Sequence, residues 1–210
     1  MNRRFFGKIE VAFDAVYLLT ALVIGVRALF EAKFLLASMA LVLALGDAFH
    51  LIPRMLSALG RGGLERALGF GKLAASVTMT IFYVLLWHRG APHSPFPPVW
   101  TTAVYTLAAF RIGLSLFPEN RWYDDAPSVG WAVARNAPFL LQGLAVAILF
   151  HAIAPAVPGA RWVWLAVLLS FAFYLPVALF AHKNRRLGML MLPKTVMYLW
   201  ILLQIAGIPG

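Results

Sequence analysis

Seven stretches of about 20 apolar residues, separated by short polar breaks, dominate this sequence. They cover residues 10–30, 34–53, 67–87, 98–117, 130–153, 161–181 and 188–208. A helix of that length crosses a hydrocarbon core roughly 30 Å thick and pairs its own backbone groups, which lipid cannot do. The breaks are turn-forming clusters such as Gly60-Arg61-Gly62-Gly63, Pro95-Phe96-Pro97-Pro98 and Pro155-Ala156-Val157-Pro158-Gly159. The segments are too long and too unpatterned for barrel strands, which alternate over about ten residues. The expected fold is therefore all-α: a single domain over residues 1–210, a polytopic seven-transmembrane-helix bundle. Composition agrees. Hydrophobic residues make up 62% and charged ones 12%, against about 25% charged in a soluble domain. The seven spans leave no length for a second, soluble domain.

The net charge of +10 points to topology before it points to nucleic acid, and no nucleic-acid partner is expected. Arg3, Arg4, Lys8, Arg54, Arg61, Arg66, Arg121, Lys183, Arg185 and Arg186 fall on one side of the seven crossings. Lys33, Arg89 and Arg161 fall on the other. The positive-inside rule then sets the N-terminus in the cytoplasm and the C-terminus outside, with a bacterial cytoplasmic (inner) membrane as the expected location. The first apolar run is longer than a signal peptide's and lacks a small-x-small cleavage site, so it reads as a retained helix. Trp87, Trp100, Trp131, Trp162 and Trp164 fall near helix ends, as an aromatic belt would. No internal repeat suggests the inverted halves of a transporter.

Function is expected where charge enters the spans, because a charge at mid-bilayer costs roughly 2.5–3.5 kcal/mol on insertion scales. Glu10, Asp14 and Tyr17 share a face of the first helix, and Asp47, His50 and Arg54 share a face of the second. The third carries Lys72, Ser76, Thr80 and Tyr83. The fourth carries Arg111 and Ser115, the fifth Arg135, Asn136 and Gln142, and the seventh Lys194 and Tyr198. Nearly all lie in the cytoplasmic half of their helices, which predicts a polar cavity open on that side. If the second helix ends at Pro53, Asp47 lies about 9 Å from its end, too deep for so short a side chain to reach the interface. Lys72, Arg111 and Arg135 could instead snorkel.

Other chemistries fit less well. There are no cysteines. The histidines are scattered: His88, His93 and His151 towards one face, His50 and His182 towards the other, with no i, i+4 pair. That pattern speaks against a zinc site, and no metal or cofactor is implied. Lys194 lies near the start of its helix, where a retinal Schiff base would need it nearer the middle.

The run Leu45-Gly46-Asp47-Ala48-Phe49-His50-Leu51-Ile52-Pro53-Arg54 resembles the Gly-Asp motif of the lysoplasmalogenase (YhhN-like) integral membrane family. The next helix, from Gly69 and Gly71 to Phe82-Tyr83, is similar to that family's glycine-containing helix. The likeness covers about 40 residues, and the rest agrees by hydropathy. It implies hydrolysis of a vinyl ether in a lysophospholipid, a membrane lipid substrate, giving an aldehyde and a glycerophospho-alcohol. It carries over Asp47 as a candidate catalytic acid. Two features differ: the family usually has eight helices, and its late Ser-acid pair is replaced here by Ser170-Phe171-Ala172. The family's histidine on the glycine-containing helix is also absent, its place taken by Ser76 or a neighbour.

Protonating a vinyl ether takes a well-placed acid, and the oxocarbenium that forms takes a carboxylate, as in glycosidases. Asp14, or failing that Glu10, would supply the second carboxylate, with His50 beside Asp47. Lys72, Arg111, Arg135, Asn136, Lys194 and Tyr198 would bind the substrate, the cations holding its phosphate. The residues equally allow a non-catalytic seven-helix ligand- or lipid-binding sensor, or a small-solute transporter with a cytoplasm-facing cavity. A pair of carboxylates meeting at one point would favour the enzyme, and a cavity ringed only by cations a binder.

Overall fold

The computed structural model describes residues 3–124, 128–181 and 184–208, with side chains from residue 7 onward apart from 185 and 186. The side chains of Arg3, Arg4, Arg185 and Arg186, together with all of His182 and Lys183, lie outside the described residues. Seven long helices follow in order: α1 (Arg3–Phe30), α2 (Phe34–Ala58), α3 (Glu65–Gly90), α4 (Pro98–Leu116), α5 (Val129–Ile153), α6 (Val163–Phe180) and α7 (Met191–Ala206). Every one lies in a stretch long and apolar enough to span a membrane. The fold class read from the sequence is what the structure shows, an integral membrane helix bundle.

Each helix packs on the next, and α7 returns to touch α1 and α2. The ring is filled from within by α3, which also contacts α5, and by α5, the most buried span. Successive helices alternate in direction. The N-terminus of α1 and the α2–α3, α4–α5 and α6–α7 connections therefore share one end of the bundle, and that end carries most of the basic residues. Leu19, Val23, Phe110 and Leu203 are among the large apolar side chains left exposed on the periphery, where they face lipid.

Local chemistry sets the helix boundaries, and α2 departs from expectation. It does not stop at Pro53, which sits inside the helix. It runs on to Ala58 and is closed by Gly60, at φ +96°. There the Gly60 N–H donates to Ser57 O and the Arg61 N–H to Leu56 O, both at 3.0 Å. That is a Schellman closure, which only glycine adopts without strain. Pro53 costs α2 one backbone bond, leaving the Phe49 carbonyl without its i+4 donor. Asp47 accordingly lies 11 residues from the end of α2, about 16 Å by helical rise.

Glycines bring α2 and α3 together at this point. A Cβ on Gly71 would sit 2.3 Å from the Phe49 carbonyl oxygen, and one on Gly46 would sit 2.1 Å from Thr78 Oγ1. Small residues at helix crossings let backbones approach where lipid supplies no hydrophobic drive. The crossing fixes the rotation of the α2 segment that bears Asp47 and His50.

One of the tryptophans near a helix end turns inward. Trp87 is 1% exposed and donates its indole N–H to Thr101 Oγ1 at 3.0 Å, joining α3 to α4 inside the bundle.

Candidate functional site

The ionisable residues of the spans converge. A cavity of about 430 Å³ opens at the N-terminal end of the bundle. Its lining includes Asp14, Asp47, His50, Lys72, Arg111, Arg135, Lys194 and Tyr198. Each helix contributes the half that lies towards this end: α1 through Asp14, α2 through residues 47–54, α3 through 72–79, α4 through Arg111, α5 through 135–139, α6 through 174–181 and α7 through 191–198. At the deep end, Tyr83 packs edge to face on Phe139 and Tyr198 and tilted on Phe171. Tyr83 lies 5.1 Å from Phe139, 5.5 Å from Phe171 and 6.5 Å from Tyr198, centroid to centroid. All four rings are buried, and the Tyr83 hydroxyl is engaged with Ser170 Oγ at 3.0 Å.

The carboxylates belong to α1 and α2. Tyr17, one turn beyond Asp14, donates its hydroxyl to Asp47 Oδ2 at 2.6 Å. A charge-assisted bond of this kind is worth about 1.5–3 kcal/mol. Asp14 is 2% exposed, and its Oδ2 is buried with no hydrogen-bond partner. The two acids lie within electrostatic reach of each other. His50, one turn along α2 from Asp47, has a buried Nδ1 without a partner. Glu10 is used elsewhere: it accepts from Arg54 in an ion pair between α1 and α2, which removes it as a second carboxylate for the cavity.

Arg111, Arg135 and Lys194 come from the other helices and turn inward, not out to the interface. Arg111 is 1% exposed. Its guanidinium carbon lies 3.2 Å from the Phe139 ring centroid, while Nε and Nη1 are buried without an acceptor. Arg135 stacks over Trp122 at 4.3 Å and donates from Nη1 to Asn120 Oδ1 at 2.8 Å. Lys194 is buried, its Nζ 5.0 Å from the Tyr198 ring and 5.2 Å from that of Tyr174. Lys72 lines the cavity from an exposed position on α3. Among the described residues, none of Lys72, Arg111, Arg135 and Lys194 has a carboxylate within ion-pair distance.

Asn136 does not reach the cavity. It donates to Ala132 O at 2.8 Å and accepts the Tyr174 hydroxyl at 2.9 Å, so it sits behind the wall and fixes Tyr174 upon it. Asn120, Trp122 and Tyr174 are among the lining residues that escape a reading by charge. Asn120 and Trp122 belong to the turn after α4. The Asn120 amide donates to Leu114 O at 2.6 Å and Phe117 O at 2.9 Å. The Trp122 indole donates to Ser115 O at 2.9 Å. Both satisfy the orphan carbonyls of the α4 terminus, and that same turn carries the partners of Arg135. Tyr174 follows Ser170 at i+4 on an otherwise apolar helix, a faint polar stripe that could have marked it.

Comparison of the chain with protein-family models, with curated proteins and with solved structures returns no match.

Proposed function

We propose that this cavity is the active site of a membrane-embedded hydrolase resembling lysoplasmalogenase, which cleaves the vinyl ether of a lysophospholipid by acid–base catalysis. The observation that carries the reading is the opening of Asp14 and Asp47 into one pocket, with a donor fixed on one of them and unpaired cations on the surrounding walls. Two carboxyl groups in unlike settings are what sequential proton donation and cation stabilisation require.

In this reading the phosphate rests among Arg111, Arg135 and Lys194, and the ether reaches the acids of α1 and α2. Asp14, whose Oδ2 has no partner in the protein, passes its proton to the β-carbon of the vinyl ether. Asp47, held by Tyr17, faces the oxocarbenium ion. This exchanges the two roles expected from the sequence. Water adds to the oxocarbenium carbon, giving up a proton to the carboxylate pair. The hemiacetal then collapses to an aldehyde and the glycerophospho-alcohol. His50, beside Asp47 in the lining, relays that proton. We place the protein in a bacterial cytoplasmic membrane with the cavity end inside, following its basic loops.

The test is release of free aldehyde from a vinyl-ether lysophospholipid by the purified, reconstituted protein. Asp14→Asn and Asp47→Asn keep the size of the side chain and remove its ionisable proton. Each is expected to lose well over tenfold in turnover, more than 1.4 kcal/mol in the barrier, with folding intact. No aldehyde from folded wild type removes the hydrolase reading. Aldehyde at the wild-type rate from Asp47→Asn refutes the role given to Asp47. A non-catalytic lipid sensor built on the same cavity would show only modestly weakened binding in that variant. The ring-filled floor of the pocket argues against a solute pathway through the bundle.

A further inference from the structure

The charges of the cavity do not balance, and the imbalance has a definite size. Arg54 is paired with Glu10 and Arg121 with Asp124. That leaves the buried cations Arg111, Arg135 and Lys194 facing the Asp47 carboxylate, with Asp14 holding the proton it donates and Lys72 open to solvent, a surplus of two positive charges (three less one). Burying uncompensated charge is expensive, and Arg111 shows the deficit most directly, with two buried N–H groups lacking any acceptor. An anion of the right charge would supply what the protein does not.

The aromatic surface of the pocket is already taken. Arg111 covers Phe139, Arg135 covers Trp122, and Lys194 lies over both Tyr174 and Tyr198. A quaternary or primary ammonium is recognised by free aromatic faces or by carboxylates. Here the faces of these four rings already carry cations of the protein itself, and Asp14 and Asp47 are the acids that the ether reaches in the hydrolase reading, so a choline or ethanolamine group entering among the rings would meet repulsion.

We propose that the ligand of this cavity is a phosphomonoester, and that zwitterionic phosphodiester headgroups are selected against. A phosphomonoester carries about −1.5 to −2 charge at neutral pH, which matches the surplus, and its three terminal oxygens can accept from the guanidinium groups. A phosphocholine or phosphoethanolamine diester carries no net charge and leaves the surplus in place. The inference rests on the hydrolase reading for placing a lysolipid in the pocket and a proton on Asp14, while the choice of headgroup comes from the charges.

The experiment measures binding to the micelle-reconstituted protein by calorimetry and by thermal shift. Its probes are lysophosphatidate and lysophosphatidylcholine of the same saturated acyl chain, glycerol 3-phosphate and inorganic phosphate. None has a vinyl ether, so catalysis does not enter. Lysophosphatidate is expected to bind at least tenfold more tightly than lysophosphatidylcholine. Arg111→Met and, separately, Arg135→Gln are each expected to erase most of that preference while the variants stay folded. Glycerol 3-phosphate binding as well as lysophosphatidate identifies a soluble phosphomonoester as the ligand. Binding confined to the lipid identifies the lysolipid. Equal or tighter binding of lysophosphatidylcholine overturns the proposal, as does a preference that survives in both variants. Aldehyde release, measured separately on the vinyl-ether form of lysophosphatidate, decides the hydrolase reading. Its absence beside an intact headgroup preference removes the catalysis and keeps the ligand class.

Discussion

Replacing Arg111 with methionine should make the empty protein more stable. The guanidinium is 1% exposed and has no carboxylate partner among the described residues. Two of its N–H-bearing nitrogens are buried without acceptors, and each such group costs about 1–3 kcal/mol. Against this, its position over Phe139 at 3.2 Å returns about 2 kcal/mol when desolvated. The balance is a net penalty of about 2 kcal/mol, which methionine avoids while filling the space above the ring with a flexible, polarisable chain. For a chain of this size that corresponds to a rise of about 4–8 °C in the unfolding midpoint. The assay is thermal unfolding in detergent micelles without added lipid or phosphate, followed by the same measurement with lysophosphatidate. The unliganded variant should melt above wild type. The ligand should raise the wild-type midpoint and leave the variant nearly unmoved. A variant that melts lower than wild type without ligand would refute the reasoning, because it would mean that the guanidinium is satisfied in the resting protein.

Three other expectations follow. Tyr17→Phe removes the donor from Asp47 and keeps the buried ring, so the loss of about 1.5–3 kcal/mol should lower the melting midpoint by several degrees and turnover should fall about tenfold or more; steady-state kinetics and a melt on the same sample check both. Gly71→Ala would set a methyl 2.3 Å from the Phe49 carbonyl oxygen, so α2 and α3 must part at a cost of about 1–3 kcal/mol, read as a lower melting midpoint; an unchanged midpoint would mean that the crossing is looser than described. Single cysteines placed at Lys33 and Arg61 should label from opposite sides of intact cells, and labelling of position 61 from outside would reverse the proposed orientation.

What the chain discloses by itself is position along each helix. Apolar length and basic loops gave the spans, and the depth of Asp14, Asp47, Arg111, Arg135 and Lys194 marked one end of the bundle as polar. Rotation about the helix axis and pairing between helices are less legible. Glu10 and Asp14 share a face of α1, but Arg54 takes one while the cavity takes the other. Asn136 follows Arg135 directly, and one step of 100° turns it behind Tyr174. Pro53 looks like a stop, yet α2 passes through it because the Schellman turn at Gly60 supplies a better one. Asn120 and Trp122 were invisible as lining residues, since nothing in a polar turn says that it folds back under a helix end to hold an arginine.

The packed rings at the base of the cavity have an electrical consequence. Among the described residues, Tyr83, Phe139, Phe171 and Tyr198 are buried and packed ring against ring below the pocket, where a file of water towards the far side of the bundle would have to pass. Under the proposed hydrolysis, the protons that Asp14 and Asp47 take up and release are exchanged with the one aqueous compartment that the cavity faces. Work at this site moves no net charge across the bilayer, so a membrane potential neither drives it nor opposes it. In sealed vesicles its rate should be indifferent to a potassium diffusion potential of either sign, and should follow only the pH of the compartment that the cavity faces.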